Sequence, residues 1–196
     1  MRNTEELLRA ALMKVPNDLA EHVMRVLDEA LRLAAIHDVD RGAATIAVLG
    51  HDLLRAHSTE RLVAIAEEQG YWIEGAERIE PLLMHGPLAV PILREQYDVH
   101  DADVLGAVAT HTSAAPGMSR LQKLVFVADK IEPEKLARHP ETEEVRRLAE
   151  TDLDAAFGAY LDFLIGEAVE RGWPLHANTI AARNELLARA RARSPK

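Results

Sequence analysis

The sequence predicts an all-α protein, an irregular bundle of roughly eight to ten helices. Three observations predict it. Apolar residues recur at three- and four-residue steps in most segments. Alternating runs of Val, Ile, Thr and aromatic residues, the mark of strands, are almost missing, and aromatics make up only 4% of the chain. Ala, Leu, Glu and Arg dominate what remains.

In chain order, Thr4 before Glu5, Glu6 and Leu7-Leu8 reads as a capped start, and Pro16 ends or kinks that helix. From Asp18, the residues Leu19, Val23, Val26, Leu27, Ala30, Leu31 and Ala34 form one apolar stripe closing near His37-Asp38. Residues 41–55 make an apolar helix, and 59–69 an amphipathic one ending at Gly70. In 81–96, Pro87 suits a first helical turn, whereas Pro91 weakens the pattern. Asp101 starts a helix reaching His111, and Ala114 to Gly117 is a loop. Ser119 caps an apolar helix from Leu121 to Ile131, stopped by Pro133. Residues 141–171 make one or two longer helices ending at Gly172, Thr179 caps a last one, and the tail 191–196 should fray. No internal repeat, low-complexity tract or long linker splits the 196 residues, so 1–196 reads as a single domain.

Composition narrows the chemistry. The chain has no cysteine, which excludes disulfides, thiolate nucleophiles and cysteine-ligated metal. Any metal must be held by His, Asp or Glu. With 32 acids against 23 bases and a net charge of −9, the surface should repel a phosphate backbone, so no nucleic-acid partner is expected. No stretch approaches the roughly 18 apolar residues of a membrane span. The N-terminus lacks the basic-then-apolar order of a signal peptide, and a cytoplasmic protein is expected.

Metal-competent residues lie in apolar surroundings in five separate segments. His51-Asp52 follows the apolar run Ala43 to Leu49, where an unpaired carboxylate would be costly and a cation would remove the cost. His22 faces the stripe of Leu19, Val23 and Val26; His85 opens a helix as Met-His-Gly-Pro; His111 ends one as Thr-His-Thr. Asp129 sits in the most hydrophobic helix, after Leu124-Val125-Phe126-Val127-Ala128. Side chains from facing helices converge on metal sites in bundle cores.

The order His…His-Asp…His…His…Asp resembles the HD superfamily of metal-dependent phosphohydrolases. Leu83-Met84-His85-Gly86-Pro87 is similar to L-x-H-G-P, and His111-Thr112 with Pro116-Gly117-Met118-Ser119 to H-T-x-x-x-P-G-M-S. Leu121-Gln122-Lys123 through Ala128-Asp129-Lys130-Ile131-Glu132-Pro133 is similar to L-x-K-x…A-D-x-I-E-P, and Asn178-Thr179 with Ala182-Arg183-Asn184 to N-T-x-x-A-R-N. Together they resemble the YqeK family of symmetrical diadenosine tetraphosphate hydrolases over about residues 19–187, a resemblance that implies a single HD domain. Three departures stand out: Gly50 replaces a larger apolar residue, Arg55 replaces a Lys, and the loop at 113–115 lacks the Arg common before its Pro.

The resemblance implies hydrolysis of a dinucleoside polyphosphate to two ADP molecules by a metal-activated water. It implies metal ligands at His22, His51, Asp52 and Asp129, with His51, Asp52 and Arg55 as the catalytic set. The metal is expected to be iron, with manganese or cobalt as alternatives, in one or two ions. His85 and His111 either bind a second metal, bridged by Asp52, or touch substrate phosphate. Flanking Gly86-Pro87 and Ser113 to Gly117 put them at the rim of the bundle in this reading, which favours phosphate contact and one metal. Arg55, Lys123 and Lys130 would offset polyphosphate charge, and Thr112, Asn178, Thr179 and Arg183 would contact substrate. His37, His57, His100, His139 and His176 read as surface residues, and Tyr71 or Trp173 as a stacking partner for one adenine. The alternatives are another HD-type nucleotide phosphohydrolase, acting on a nucleoside monophosphate, a dNTP or a cyclic dinucleotide, or a non-catalytic nucleotide-binding regulator. The oligomeric state is left open, a homodimer included.

Overall fold

A computed structural model describes residues 3–193 and contains helices, turns and no strand among them. Helix α1 (Thr4–Leu12) is capped by Asn3, whose side chain accepts from the Glu6 N–H while Glu6 reaches back. That capping box puts the cap one residue before the expected Thr4. Helix α2 (Asn17–His37) buries Val23, Val26, Leu27, Ala30, Leu33 and Ala34, and ends at Asp38 in the left-handed conformation. Helix α3 (Arg41–His51) stops four residues before the expected end, because Asp52 leaves helical geometry at φ −104°, ψ 20°. Helix α4 (Thr59–Glu68) follows, then the short α5 (Gly75–Ile79), which apolar periodicity does not reveal, and a 3-10 helix Pro81–Met84.

Helix α6 (His85–Tyr97) continues through Pro91. Helices α7 (Ala102–Thr110) and α8 (Arg120–Ile131) start at the expected caps, Asp101 and Ser119. Pro133 both stops α8 and opens α9 (Pro133–Arg138), where its missing N–H costs nothing. After the 3-10 turn Pro140–Thr142, the segment expected as one or two helices is α10 (Glu143–Ala149) and α11 (Leu153–Arg171), separated by the cap Asp152. Helix α12 (Ala177–Arg193) starts two residues before Thr179, so Thr179 is not its cap. The tail expected to fray is helical over 191–193, and 194–196 lie outside the described residues. Ten of the twelve α-helices among the described residues have seven or more residues. The surplus over the expected count is short pieces.

Helices α3 and α8 form the centre. Nine of twelve residues of α8 are buried, and seven of eleven of α3, so neither keeps a polar outer face. Helix α2 packs on both, α7 on both, and α11 covers α8, with Phe126 and Phe157 edge-to-face at 5.1 Å. The close packing explains two glycines. A Cβ at Gly50 would lie 3.1 Å from Leu93, which fills the space a larger residue would need. A Cβ at Gly86 would lie 2.6 Å from the Val108 carbonyl oxygen and 3.1 Å from the His111 ring. Helices α6 and α7 touch through backbone there, beside the site.

Candidate metal centre

Five helices deliver six ligand-competent side chains to one point. His22 comes from α2, His51 and Asp52 from the end of α3, His85 from the start of α6, His111 from the end of α7, and Asp129 from α8. His22 Nε2 lies 3.1 Å from Asp129 Oδ1 and 3.6 Å from Asp52 Oδ2, and His51 Nε2 lies 3.4 Å from Asp52 Oδ2. The other Asp52 oxygen, Oδ1, lies 2.9 Å from His85 Nε2 and 3.4 Å from His111 Nε2. Asp52 therefore divides its two oxygens between two groups of imidazoles.

Each histidine is oriented through its other nitrogen. The Nδ1–H groups of His51, His85 and His111 donate to the carbonyls of Val48, Leu82 and Val108, at 2.6, 2.5 and 2.7 Å. His22 Nδ1–H donates to Glu132 Oε1 at 3.4 Å. The three carbonyls lie three residues upstream, on the last turn of the same helix or 3-10 segment. This arrangement selects the tautomer with a bare Nε2, as carbonyl and carboxylate partners do behind metal-bound imidazoles. All four lone pairs then point inward. His85 Nε2 and His111 Nε2 face each other at 2.9 Å, which two lone pairs tolerate only with a cation or proton between them. His51 Nε2 and Asp52 Oδ2 are buried without a hydrogen-bond partner. An isolated buried carboxylate is expensive, so these orphaned atoms fit a bound cation. The cluster could hold a divalent metal ion.

The charge states agree. Burial pushes the His51 imidazolium pKa down, and that of His111 to about 3, so both are neutral at pH 7. Burial opposes the charge on Asp52, but its contacts with His51, His111 and His85 hold its carboxyl well below the carboxylate range wherever a facing Nε2 carries a proton, the place a bound cation would take. Burial also opposes Asp129, and Lys130 and Lys135 overcome it. Neutral imidazoles with ionised carboxylates are the ligand form.

Residues 19–134, more than half of the chain, match the HD domain family. The chain belongs to that family. Among its relatives, the symmetrical bis(5'-nucleosyl)-tetraphosphatase of Halalkalibacterium halodurans is 32% identical over 85% of this chain and 88% of the relative. The protein of that name from Bacillus subtilis is 30% identical over 94% of this chain and 98% of the relative. A crystal structure described as a predicted HD superfamily hydrolase involved in NAD metabolism, from Clostridium acetobutylicum, has a TM-score of 0.88 and 31% identity. It covers 96% of this chain and 99% of that one. The all-α fold and the family expected from the motifs both hold.

The rest of this HD domain's site is more mixed. His85 and His111 are 0% and 1% exposed, not at the rim, because Gly86 and the loop after His111 let neighbouring helices close over them. Arg55 stands 3.5 Å from Asp52 Oδ2 and faces a cleft of about 410 Å³ that also reaches His22. Lys130 Nζ holds Asp129 Oδ2 at 2.6 Å. The Thr112 hydroxyl donates to His111 Nε2 at 3.0 Å. Three expected substrate contacts are committed elsewhere. Lys123 is buried in an ion pair with Asp154 at 2.6 Å, in a separate cleft with His37 and Arg120. Thr179 donates its hydroxyl to the Ser113 carbonyl at 2.7 Å, and Arg183 pairs with Asp162. Asn178 is exposed, its N–H donating to His176 Nδ1.

Two histidines read as surface residues are internal ties. His37 Nε2–H donates to the Ala149 carbonyl at 2.7 Å, and His176 Nε2 lies 3.2 Å from Glu74, a partner on the unexpected α5 segment. Tyr71 donates its hydroxyl to Glu77. Sequence reasoning also missed four residues. Lys135 Nζ holds Asp129 Oδ1 at 2.5 Å, Glu132 receives Arg25 Nε at 2.7 Å as well as His22, and Arg138 joins Lys135 in the cleft wall. Arg25 lies one helical turn from His22, a spacing that would have found it, whereas Glu132 is in extended backbone past the end of α8, where helical spacing gives no signal.

Proposed function

We propose that this protein is a metal-dependent phosphohydrolase that splits diadenosine tetraphosphate, with one water, into two ADP molecules. One observation carries the reading: Asp52 turns its oxygens toward two sets of inward-facing imidazole Nε2 atoms, with His51 Nε2 and Asp52 Oδ2 left orphaned. The names of the relatives support the substrate. His22, His51, Asp52 and Asp129 would hold one ion, and Asp52, His85 and His111 a second. Burial of the last two histidines favours that role over direct phosphate contact. The nitrogen and oxygen donors suit iron, manganese or cobalt, of which iron is our choice. Ions at such a site lower the pKa of water by several units and polarise a phosphoryl oxygen.

The chain's own residues set up the reaction. Glu132 fixes the His22 ring, Lys130 and Lys135 keep Asp129 ionised, and the backbone carbonyls fix the other three rings. The cleft that leads to His22 is lined by Arg25, Arg55, Lys135 and Arg138 and by Asp18, Glu21, Glu132 and Glu134. Arg25 and Arg138 are paired with Glu132 and Glu134, which leaves Arg55 and the Asp129-bound Lys135 best suited to a polyphosphate there. The decisive experiment is product analysis with metal-loaded protein. ADP as the sole nucleotide product is expected; AMP with ATP, or no turnover by fully loaded protein, refutes the proposal. Metal analysis should find two ions per chain, falling to one in His111→Ala, while an unchanged count of one would return His111 to the substrate.

A further inference from the structure

Three of the eight Phe, Tyr and Trp residues line one small cavity beside the metal centre. Tyr160 and Phe163 come from α11, and Trp173 stands just past its end. The cavity has a volume of about 210 Å³, below the range for a whole drug-sized ligand and suited to one planar heterocycle. Its remaining wall mixes three cations, Lys130, Lys135 and Arg138, with His139, Thr142, Leu164 and Glu167. Lys130 and Lys135 are the two ammonium groups that hold Asp129, and Lys135 and Arg138 also line the 410 Å³ cleft that reaches His22 and Arg55. The two spaces therefore share the side chains between them.

Trp173 is 49% exposed, with the Arg171 guanidinium 5.0 Å from its ring centroid. The other tryptophan, Trp72, is 81% exposed but does not line this cavity, so a place in the cavity wall rather than exposure singles out Trp173. Glu167, ion-paired with Arg171, adds an acceptor to the same wall. Aromatic faces, an acceptor for an exocyclic amine, and cations on the side toward the metal centre together match a purine nucleotide entering base first.

We infer that this cavity is a base subsite: it takes one purine ring of the dinucleotide against Trp173 and Phe163, while the attached phosphates pass Lys135 and Arg138 toward Asp129. The identity of the nucleotide rests on the proposed hydrolase activity; the subsite itself does not.

Two measurements test it. Trp72→Phe leaves Trp173 as the single tryptophan, and metal-loaded protein is titrated with ADP and with inorganic pyrophosphate. ADP should change Trp173 emission saturably, and pyrophosphate, which has no base, should not. In the second, Trp173→Ala should raise the KM for diadenosine tetraphosphate about tenfold, the scale of one lost base–aromatic stack, with kcat within about twofold. Trp173→Phe should recover most of the loss. An unmoved KM in both Trp173→Ala and Phe163→Ala, or equal responses to ADP and pyrophosphate, overturns the subsite. Absence of turnover in the unaltered protein would refute the hydrolase reading alone, since the ADP titration still decides the subsite.

Discussion

At the centre of the molecule His51 and Asp52 keep buried atoms without partners, whereas at the rim Arg25 and Arg138 are matched by carboxylates. Both regions are built from charged and titratable side chains. The difference is what completes them. Glu134 completes the rim in contact with water, where its pairs with Arg25 and Arg138 are worth little and can be exchanged, while the buried Glu132 joins Arg25 to His22. Lys130 and Lys135 pair with Asp129 at the centre, but the buried His51 Nε2 and Asp52 Oδ2 have no hydrogen-bond partner within the chain, so the centre is complete only with a cation. Substitutions there should be severe, and those in exposed or fully paired positions mild.

The largest effect is expected from His51→Ala or Asp129→Ala. Each removes a central ligand atom, so turnover should fall at least about a thousandfold with loss of bound metal, read by product formation and metal analysis. Activity near that of the unaltered protein would place the chemistry elsewhere.

The second test uses pH on metal-free protein. His111 titrates at an ordinary value of 6.5 when unfolded and about 3 when folded, and His51 is lowered in the same direction. The unfolded chain thus binds more protons in that window, so stability must fall as pH drops from 6.5 toward about 3. Asp52 and Asp129, also lowered, extend the loss below the carboxylate value of 3.8. Urea midpoints across the window should show the slope, and His111→Asn should flatten it. Identical slopes would mean that His111 does not carry the effect.

Gly86→Ala comes third. Its Cβ would meet the Val108 carbonyl oxygen, which is backbone and cannot swing away. A destabilisation of about 1–3 kcal/mol is expected, with reduced metal affinity as His111 is displaced. A melting temperature unchanged by Gly86→Ala would show that α6 and α7 have room to separate.

The smallest effect is expected at Lys123, whose partner Asp154 is half exposed. Lys123→Met should cost no more than about 1 kcal/mol and leave kcat and KM unmoved. A tenfold drop in kcat/KM would return Lys123 to the polyphosphate and blur the contrast between centre and periphery.

The sequence by itself determined the all-α fold, the long helices and the central His and Asp residues. Apolar periodicity and the caps at Asp101 and Ser119 are local, and His51-Asp52 and Asp129 stand out because they interrupt hydrophobic runs. Short elements such as α5 were not legible, since five residues are too few to show a period. Only the tertiary structure decided which polar side chains pair with one another. Lys123 and Lys130 lie on the same helix within one matched motif, yet one meets Asp154 on α11 and the other Asp129. His85 and His111 looked peripheral beside their loops until the backbone contact at Gly86 buried them. Such partners come from elements distant in the chain, and a carboxylate's choice among cations depends on distance and burial, which no one-dimensional pattern records.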